Sequence, residues 1–178
     1  MRVIAGKYKG AKLISPRGEV RPTTDLVKGS LFSMLEAKGL LRGAACLDLF
    51  CGSGNLGIEC LSRGAASVHF NDASATSIGI LKKNLIRLKD EPTCKVTNLD
   101  FSVCLARAGR FDLIFIDPPY RMEAGVQALK IIGEKSLLND GGVAVLERDR
   151  SFSGEINGLN VTDERKYGKT YLTFFEKV

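Results

Sequence analysis

The stretch ACLDLFCGSGNLGIECLSR, residues 45–63, constrains the fold more than any other part of the chain. An apolar run ends near Phe50, the glycine-rich Gly52, Ser53 and Gly54 follow, and an amphipathic segment containing Gly57 continues to Arg63. Strand, glycine turn and helix in that order open a βαβ unit, because glycines allow positive φ and close backbone approach where side chains would not. The same alternation repeats to the end of the sheet. Its spacing predicts strands over Ala45–Phe50, Ser67–Asn71, Lys95–Asn98, Phe111–Ile116 and Val143–Glu147, with helices over Gly54–Arg63, Ala75–Leu88 and Glu123–Ile132. Such a series builds an α/β fold around a mostly parallel, doubly wound sheet. Leu159–Arg165 and Thr170–Lys177 flank a turn-like 166–169 and should close the chain as an antiparallel hairpin. Ahead of the sheet, Thr23, Thr24 and Asp25 offer an N-cap to a helix whose apolar face is Val27, Leu31, Met34 and Leu35. Residues 1–35 therefore read as a basic extension and helix packed on a core of 36–178, within one structural unit.

Length and composition agree with this. At 178 residues, 44% apolar and 26% charged, the chain suits one ordinary domain and excludes a disordered or fibrous class. It carries no apolar run of membrane-spanning length, and MRVIAGKYKG lacks the apolar centre of a signal peptide, so a soluble, cytoplasmic protein is expected. Its cysteines, Cys46, Cys51, Cys60, Cys94 and Cys104, are scattered, odd in number and without a CxxC pair. They read as small buried hydrophobes, and with His69 the only histidine, in an apparent buried strand, no metal site is expected. The net charge of +6 is concentrated at the start: residues 1–30 hold +5 of it. A basic segment is the footprint expected for a phosphate backbone, with Lys7, Lys9, Lys12 and Arg17 as the contacts.

Twenty residues after Gly52, at the end of the second strand, stands Asp72. A carboxylate there can accept hydrogen bonds from a ribose diol, so the turn should bind an adenosine-containing cofactor. The spacing Gly52, Gly54, Gly57 alone leaves a nicotinamide cofactor open. Asp48 before the turn and Asp100 after the third strand add further carboxylates at the same sheet edge, which would repel a pyrophosphate and attract a sulfonium with an α-ammonium. Asp100 also suits a helix cap for Phe101–Leu105.

The fourth strand runs into Asp117, Pro118, Pro119 and Tyr120. Paired prolines make a stiff, extended segment, fixing Asp117 and the Pro118 carbonyl as two acceptors at the carboxyl edge. An exocyclic amine on a nucleobase is a poor nucleophile because its lone pair is delocalised. Acceptors aimed at its hydrogens favour a tetrahedral, nucleophilic form, and Tyr120 can stack on the base.

LDLFCGSGNLGIE, Asp72, Asp100 and DPPY together resemble the class I S-adenosylmethionine-dependent amino methyltransferases, which implies a Rossmann-like fold. More narrowly, GKYKGAKL, RPTTD, LSRGA and KYGKT resemble the RsmD family of bacterial methyltransferases, which modify a guanine N2 in small-subunit (16S) ribosomal RNA. The resemblance spans Ile4 to about Leu172. It implies that Gly52, Ser53 and Gly54 approach the methionine part of S-adenosylmethionine, that Asp72 holds its ribose and that Asp100 and Phe101 meet its adenine. Asp117, Pro118, Pro119 and Tyr120 would hold the target base, and Arg21, Pro22, Thr23 and Thr24 would border both cofactor and RNA. Leu26, Lys28 and Gly29 stand where the family usually has Arg, Arg and Glu, which implies a weaker or rearranged RNA grip. A DNA adenine methyltransferase with the same tetrad, or a non-catalytic RNA-binding assembly factor, remains the alternative, although no separate sequence-reading domain is evident.

Overall fold

A computed structural model describes residues 1–15, 25–88, 93–119 and 123–178. In chain order the elements are α1 (Asp25–Ala37), β1 (Ala45–Asp48), α2 (Asn55–Ser62), β2 (Ser67–Asn71), α3 (Ala75–Arg87), β3 (Cys94–Thr97), α4 (Phe101–Ala106), β4 (Phe111–Ile116), α5 (Ala124–Glu134), β5 (Leu138–Arg148), β6 (Leu159–Tyr167) and β7 (Thr170–Lys177). One sheet takes the strand order β3-β2-β1-β4-β5-β7-β6, in which β1 to β5 are parallel and β7 enters antiparallel between β5 and β6.

Alternation along the central strands builds two cores. Leu113 and Phe115 of β4, with Phe70 and Phe174, meet α1, α2 and α3 through Leu31, Phe32, Leu35, Ile58, Ile78 and Leu81. Their neighbours Ile114 and Ile116, with Leu47, Leu146 and Phe175, meet α4 and α5 through Leu105, Leu129 and Ile132. A strand that feeds both layers must be apolar at every core position, which is why residues 113–116 of β4 read as the unbroken run LIFI after Asp112. Among the described residues, no helix is long and apolar enough to cross a membrane.

Most elements shift from their sequence reading by one or two residues at an end, as where β1 stops at Asp48 rather than Phe50, and β5 and α1 differ more. β5 begins at Leu138, not Val143, because Phe111 pairs with Leu138 and the register then shifts before Leu113 pairs with Val143. Gly141, at φ 75°, lies within the irregular stretch, so its turn-like NDGG is absorbed into the strand. The inner face of α1 consists of Val27, Lys28, Leu31, Phe32 and Leu35, while Met34 is only half-buried.

Lys28 is the larger surprise. It is 1% exposed and faces inward, not towards a polymer. Its Nζ donates to Arg2 O at 2.6 Å and Asn55 Oδ1 at 2.8 Å, and lies 3.2 Å from the fully buried Glu59 of α2. Glu59 also accepts from the amides of Ile4 and Ala5 at 2.9 and 3.1 Å and from Arg63 Nε at 2.9 Å. The amino terminus thereby becomes part of the fold. Residues 1–13 double back, with Val3 N donating to Ala11 O and Gly10 N to Val3 O, and bury Val3 and Leu13 in the core.

Removing Lys28 takes one of two cations from a fully buried carboxylate, which Arg63 and the two amides then compensate only in part. Lys28→Ala should therefore lower the unfolding free energy by about 3–5 kcal/mol at neutral pH, read from urea denaturation. A loss under about 1 kcal/mol would show that water replaces the ammonium at little cost.

Candidate active site

The site is assembled at the carboxyl ends of β1 to β4. Leu49 N donates to Phe115 O at 3.1 Å and Cys51 N to Asn71 O at 2.9 Å, so the turn after β1 lies between the ends of β4 and β2. Asn71, 1% exposed, ties three strand ends together, donating to Leu49 O and Leu99 O and accepting from Thr97 Oγ1. Within the turn, Gly52 and Gly54 adopt φ of 51° and 91°, a region closed to most side chains. Gly57 serves a different end: a Cβ there would come within 2.2 Å of the Phe70 ring, so its absence lets α2 lie against β2.

Asp72 is oriented by backbone. Its Oδ2 accepts from Gly52 N and its Oδ1 from Ser74 N, each at 2.8 Å. A carboxylate has about four acceptor positions, so capacity for diol hydroxyls remains. Asp100 sits beyond β3, exposed, and its Oδ1 accepts from Ser102 N at 2.8 Å at the start of α4. Hydrogen bonds from Ser102 hold its pKa below the ordinary value. Its helix-cap role is thus real, and it shares the residue with the edge position. Phe101 rests against Phe50 with ring centroids 5.5 Å apart, giving the edge an aromatic floor.

Asp48 does not reach the edge surface. Its side chain is buried beneath the turn, where Oδ2 accepts from Gly57 N at 2.9 Å. Burial, reinforced by the nearby Asp72 charge and opposed by the Gly57 amide, pushes its pKa up from 3.8 to about 7. Ser53 is buried as well, and its carbonyl accepts from Asn84 Nδ2 at 2.9 Å.

At the other side of the crevice, Asp117 is half-buried, Pro118 buried and Pro119 exposed. Tyr120 lies outside the described residues. Pro118 packs near Gly125 of α5, where an added Cβ would stand 3.2 Å from its ring and 2.7 Å from Leu146. A recess of about 50 Å³ opens here, lined by Pro118, Pro119, Leu146, Glu147, Arg148 and Arg150 among others. Glu147 follows Leu146, the ladder partner of Ile116, which sets it beside Asp117 on the neighbouring strand.

Lys7, Lys9 and Lys12 are exposed on the amino-terminal hairpin. Arg17, Arg21 and Thr23 lie outside the described residues. His69 is buried with a ring nitrogen 2.8 Å from Thr97 Oγ1, and burial lowers its pKa to about 4, so it is neutral at physiological pH. Cys46, Cys51, Cys60 and Cys104 are buried, as small hydrophobes would be, and Cys94 is partly so. Sequence reasoning missed Glu59, Asn71, Asn84 and Glu147. A polar residue inside an otherwise apolar helix face was the available signal for Asn84.

The raised Asp48 pKa makes stability depend on pH. An acid whose folded-state pKa is raised contributes fully below its unfolded value and loses that contribution as pH rises through the folded one, here from about 4 to about 7. The wild type should lose on the order of 2 kcal/mol between pH 5 and 8 that Asp48→Asn retains, since Asn still offers an acceptor to Gly57. Melting temperatures of both across this range test it; parallel curves would show that Asp48 is ionised throughout.

The chain matches the family described as "Conserved hypothetical protein 95" over residues 1–176. It is 37% identical to "Putative rRNA methyltransferase YlbH" of Bacillus subtilis, with 99% of each chain covered. To "Ribosomal RNA small subunit methyltransferase D" of Haemophilus influenzae it is also 37% identical, over 84% of this chain and 79% of the relative. Among solved structures, "Putative methyltransferase yhhF" of Escherichia coli superposes with a TM-score of 0.88 at 30% identity, covering 99% of this chain and 97% of that one. With a Rossmann-like sheet, a terminal antiparallel hairpin and a match along almost its whole length, the chain belongs to the RsmD family of methyltransferases.

Proposed function

We propose that this protein transfers a methyl group from S-adenosylmethionine to the exocyclic N2 of a guanine in small-subunit ribosomal RNA, in the cytoplasm. One observation carries the reading: the glycine turn with Asp72 and the Asp117–Pro118–Pro119 segment converge on one sheet edge, joined by the Leu49–Phe115 and Gly52–Asp72 hydrogen bonds. The names of the relatives support the RNA class, and the resemblance of DPPY to amino methyltransferases supports the amine.

The donor set suits the cofactor. Gly52 and Gly54 leave backbone open to a methionine moiety, Asp72 offers acceptors to ribose hydroxyls, and the Phe50–Phe101 pair with Asp100 borders an adenine. Thr23 completes this set by resemblance. When bound, S-adenosylmethionine supplies an electrophilic methyl on a cationic sulfonium. The acidic edge favours that cation and disfavours a pyrophosphate.

The chain's own work lies in holding the acceptor. Asp117 and the Pro118 carbonyl receive the two amine hydrogens, which draws the nitrogen lone pair out of conjugation, and Asp117 offsets the positive charge that grows on that nitrogen. Pro118 and Pro119 keep these acceptors from rotating away, and Tyr120 stacks on the base, which must be unstacked from its RNA neighbours. Lys7, Lys9 and Lys12, with Arg17 and Arg21, hold phosphates.

Incubation with methyl-labelled S-adenosylmethionine and unmodified small subunits, naked RNA or DNA, followed by nucleoside mass analysis, tests the reading. Label on guanine N2 of the RNA is expected; label on DNA adenine would overturn the substrate. Asp117→Ala should reduce kcat by roughly 10²–10³ with little change in cofactor affinity, and Asp72→Ala should chiefly raise the cofactor Kd. Equal loss of cofactor binding in both would refute the division of roles. Neutralising Lys7, Lys9 and Lys12 together should flatten the log K against log salt slope for RNA by about 2–3. An unchanged slope would make the hairpin ordinary surface.

A further inference from the structure

One buried amide holds both the amino-terminal hairpin and the glycine turn. Asn84, 1% exposed on the inner face of α3, accepts from Ile14 N at 2.8 Å and donates to Ile14 O at 3.0 Å and to Ser53 O at 2.9 Å. Only a primary amide carries two donors and an acceptor on one planar head, so neither an isosteric carboxylate nor an isosteric alkyl group can serve all three backbone atoms. Loss of the amide would leave the Ser53 carbonyl without its partner in a buried place and the Ile14 groups without theirs in a partly buried one.

The opposite end of the hairpin is fixed to the same module. Lys7 N donates to Ser62 O at 2.7 Å and Tyr8 N to Ser62 Oγ at 2.9 Å. A Cβ on Gly6 would lie 1.9 Å from Ser62 O, so this contact is backbone against backbone, without a compliant side chain between. Ser62 ends α2, the helix that the glycine turn begins, and Ser53 lies in that turn. The hairpin bearing Lys7, Lys9 and Lys12 is therefore fastened at its loop to the end of α2 and at its exit to the turn itself.

We infer that Asn84 is a positioning residue for both substrates, setting the Ser53 peptide and the Ile14 end of the hairpin in one frame so that displacement of either moves the other. The inference rests on the proposed reading of the turn as the cofactor site and of the hairpin lysines as RNA contacts. Cofactor binding and RNA grip are then linked, each changing the other by the same factor, as linkage requires.

Ile14→Pro breaks the link without altering any residue of the turn: it removes the N–H that Asn84 accepts, sets a ring methylene against that acceptor and restricts Leu13 before it. Calorimetric titration of the full chain with S-adenosylhomocysteine should show a cofactor Kd raised about fivefold, the effect of one hydrogen bond. The KM for unmodified small subunits should rise with it, while kcat at saturation of both substrates stays within about twofold. Asn84→Asp, which keeps the acceptor and loses both donors, should shift both constants in the same direction and further. A cofactor Kd within about twofold of wild type in Ile14→Pro would overturn the inference. The wild type supplies a second measurement that needs no variant: hydrogen exchange at the Val3, Gly10 and Ile14 amides should slow when S-adenosylhomocysteine is added. Unchanged exchange there, with cofactor bound, would overturn it equally. Absence of cofactor binding by the wild type would instead overturn the methyltransferase reading, and calorimetry separates that result from the others.

Discussion

The carboxylate of Glu59 is the constraint around which the amino-terminal half is arranged. It is fully buried, and an ionised carboxylate in such a place is tolerated only with its oxygens satisfied. Its donors come from three directions: the Ile4 and Ala5 amides, the Lys28 ammonium of α1 and the Arg63 guanidinium at the end of α2. Arg63 then reaches Glu36 at 2.8 Å and lies over the Phe32 ring at 5.2 Å, so it joins the polar cluster to the apolar face of α1. Each partner fixes a different segment against α2. Since α2 is also the helix that follows the glycine turn, the terminus, the first helix and the candidate cofactor site share one reference body.

The same economy of parts governs the sheet edge, where backbone groups orient the side chains that matter. Asp72 is held by the Gly52 and Ser74 amides, Asp48 by Gly57 and Asp100 by Ser102. These amides belong to the glycine turn, to helix starts and to α2, all fixed by the surrounding backbone, so the carboxylates require little reorganisation when a cation approaches. The three acids nevertheless differ in kind. Asp100 is exposed and Asp72 half-buried, whereas Asp48 lies under the turn with a pKa near 7 and contributes less negative charge to the crevice than its position in the sequence implies.

The fold was legible because its signals are periodic and local. Ser67–Asn71 and Phe111–Ile116 are strands with the predicted limits, and the terminal hairpin turns where Lys166–Lys169 placed it. The start of β5 was hidden because Asn139, Asp140, Gly141 and Gly142 have turn chemistry, and only the partner strand across the bulge makes them sheet. Lys28 was misread for a similar reason. A lysine among departures from a family pattern suggests altered contact with RNA, but its burial depends on Glu59, 31 positions away, which nothing local announces. The glycine turn, Asp72, Asp100 and the Asp117 segment could be found because each follows a strand, and strand ends define the edge of such a sheet. Asn71 and Glu147 could not, and Asn84 showed only as a polar residue on an apolar helix face, since their meaning comes from backbone atoms or strands that only the three-dimensional pairing brings near.

The hairpin lysines and the acids of the sheet edge are kept apart and yet mechanically joined. Lys7, Lys9 and Lys12 are exposed on the hairpin, whereas Asp48, Asp72, Asp100 and Asp117 gather at or beneath the carboxyl edge. A polyanion brought to the edge by itself would meet like charge, and a small cation would find nothing to hold it on the hairpin. Separate surfaces thus suit separate ligands, but a transfer between two ligands demands that their surfaces keep a fixed relation, since a misplacement of about 1 Å can cost two orders of magnitude in rate. Surface ion pairs would be too weak and too easily screened to maintain it. The chain instead uses buried groups, Glu59 and Ser62 on α2 and Asn84 on α3, each bonded to hairpin backbone. That choice accounts for polar side chains inside a core that could otherwise have been wholly apolar.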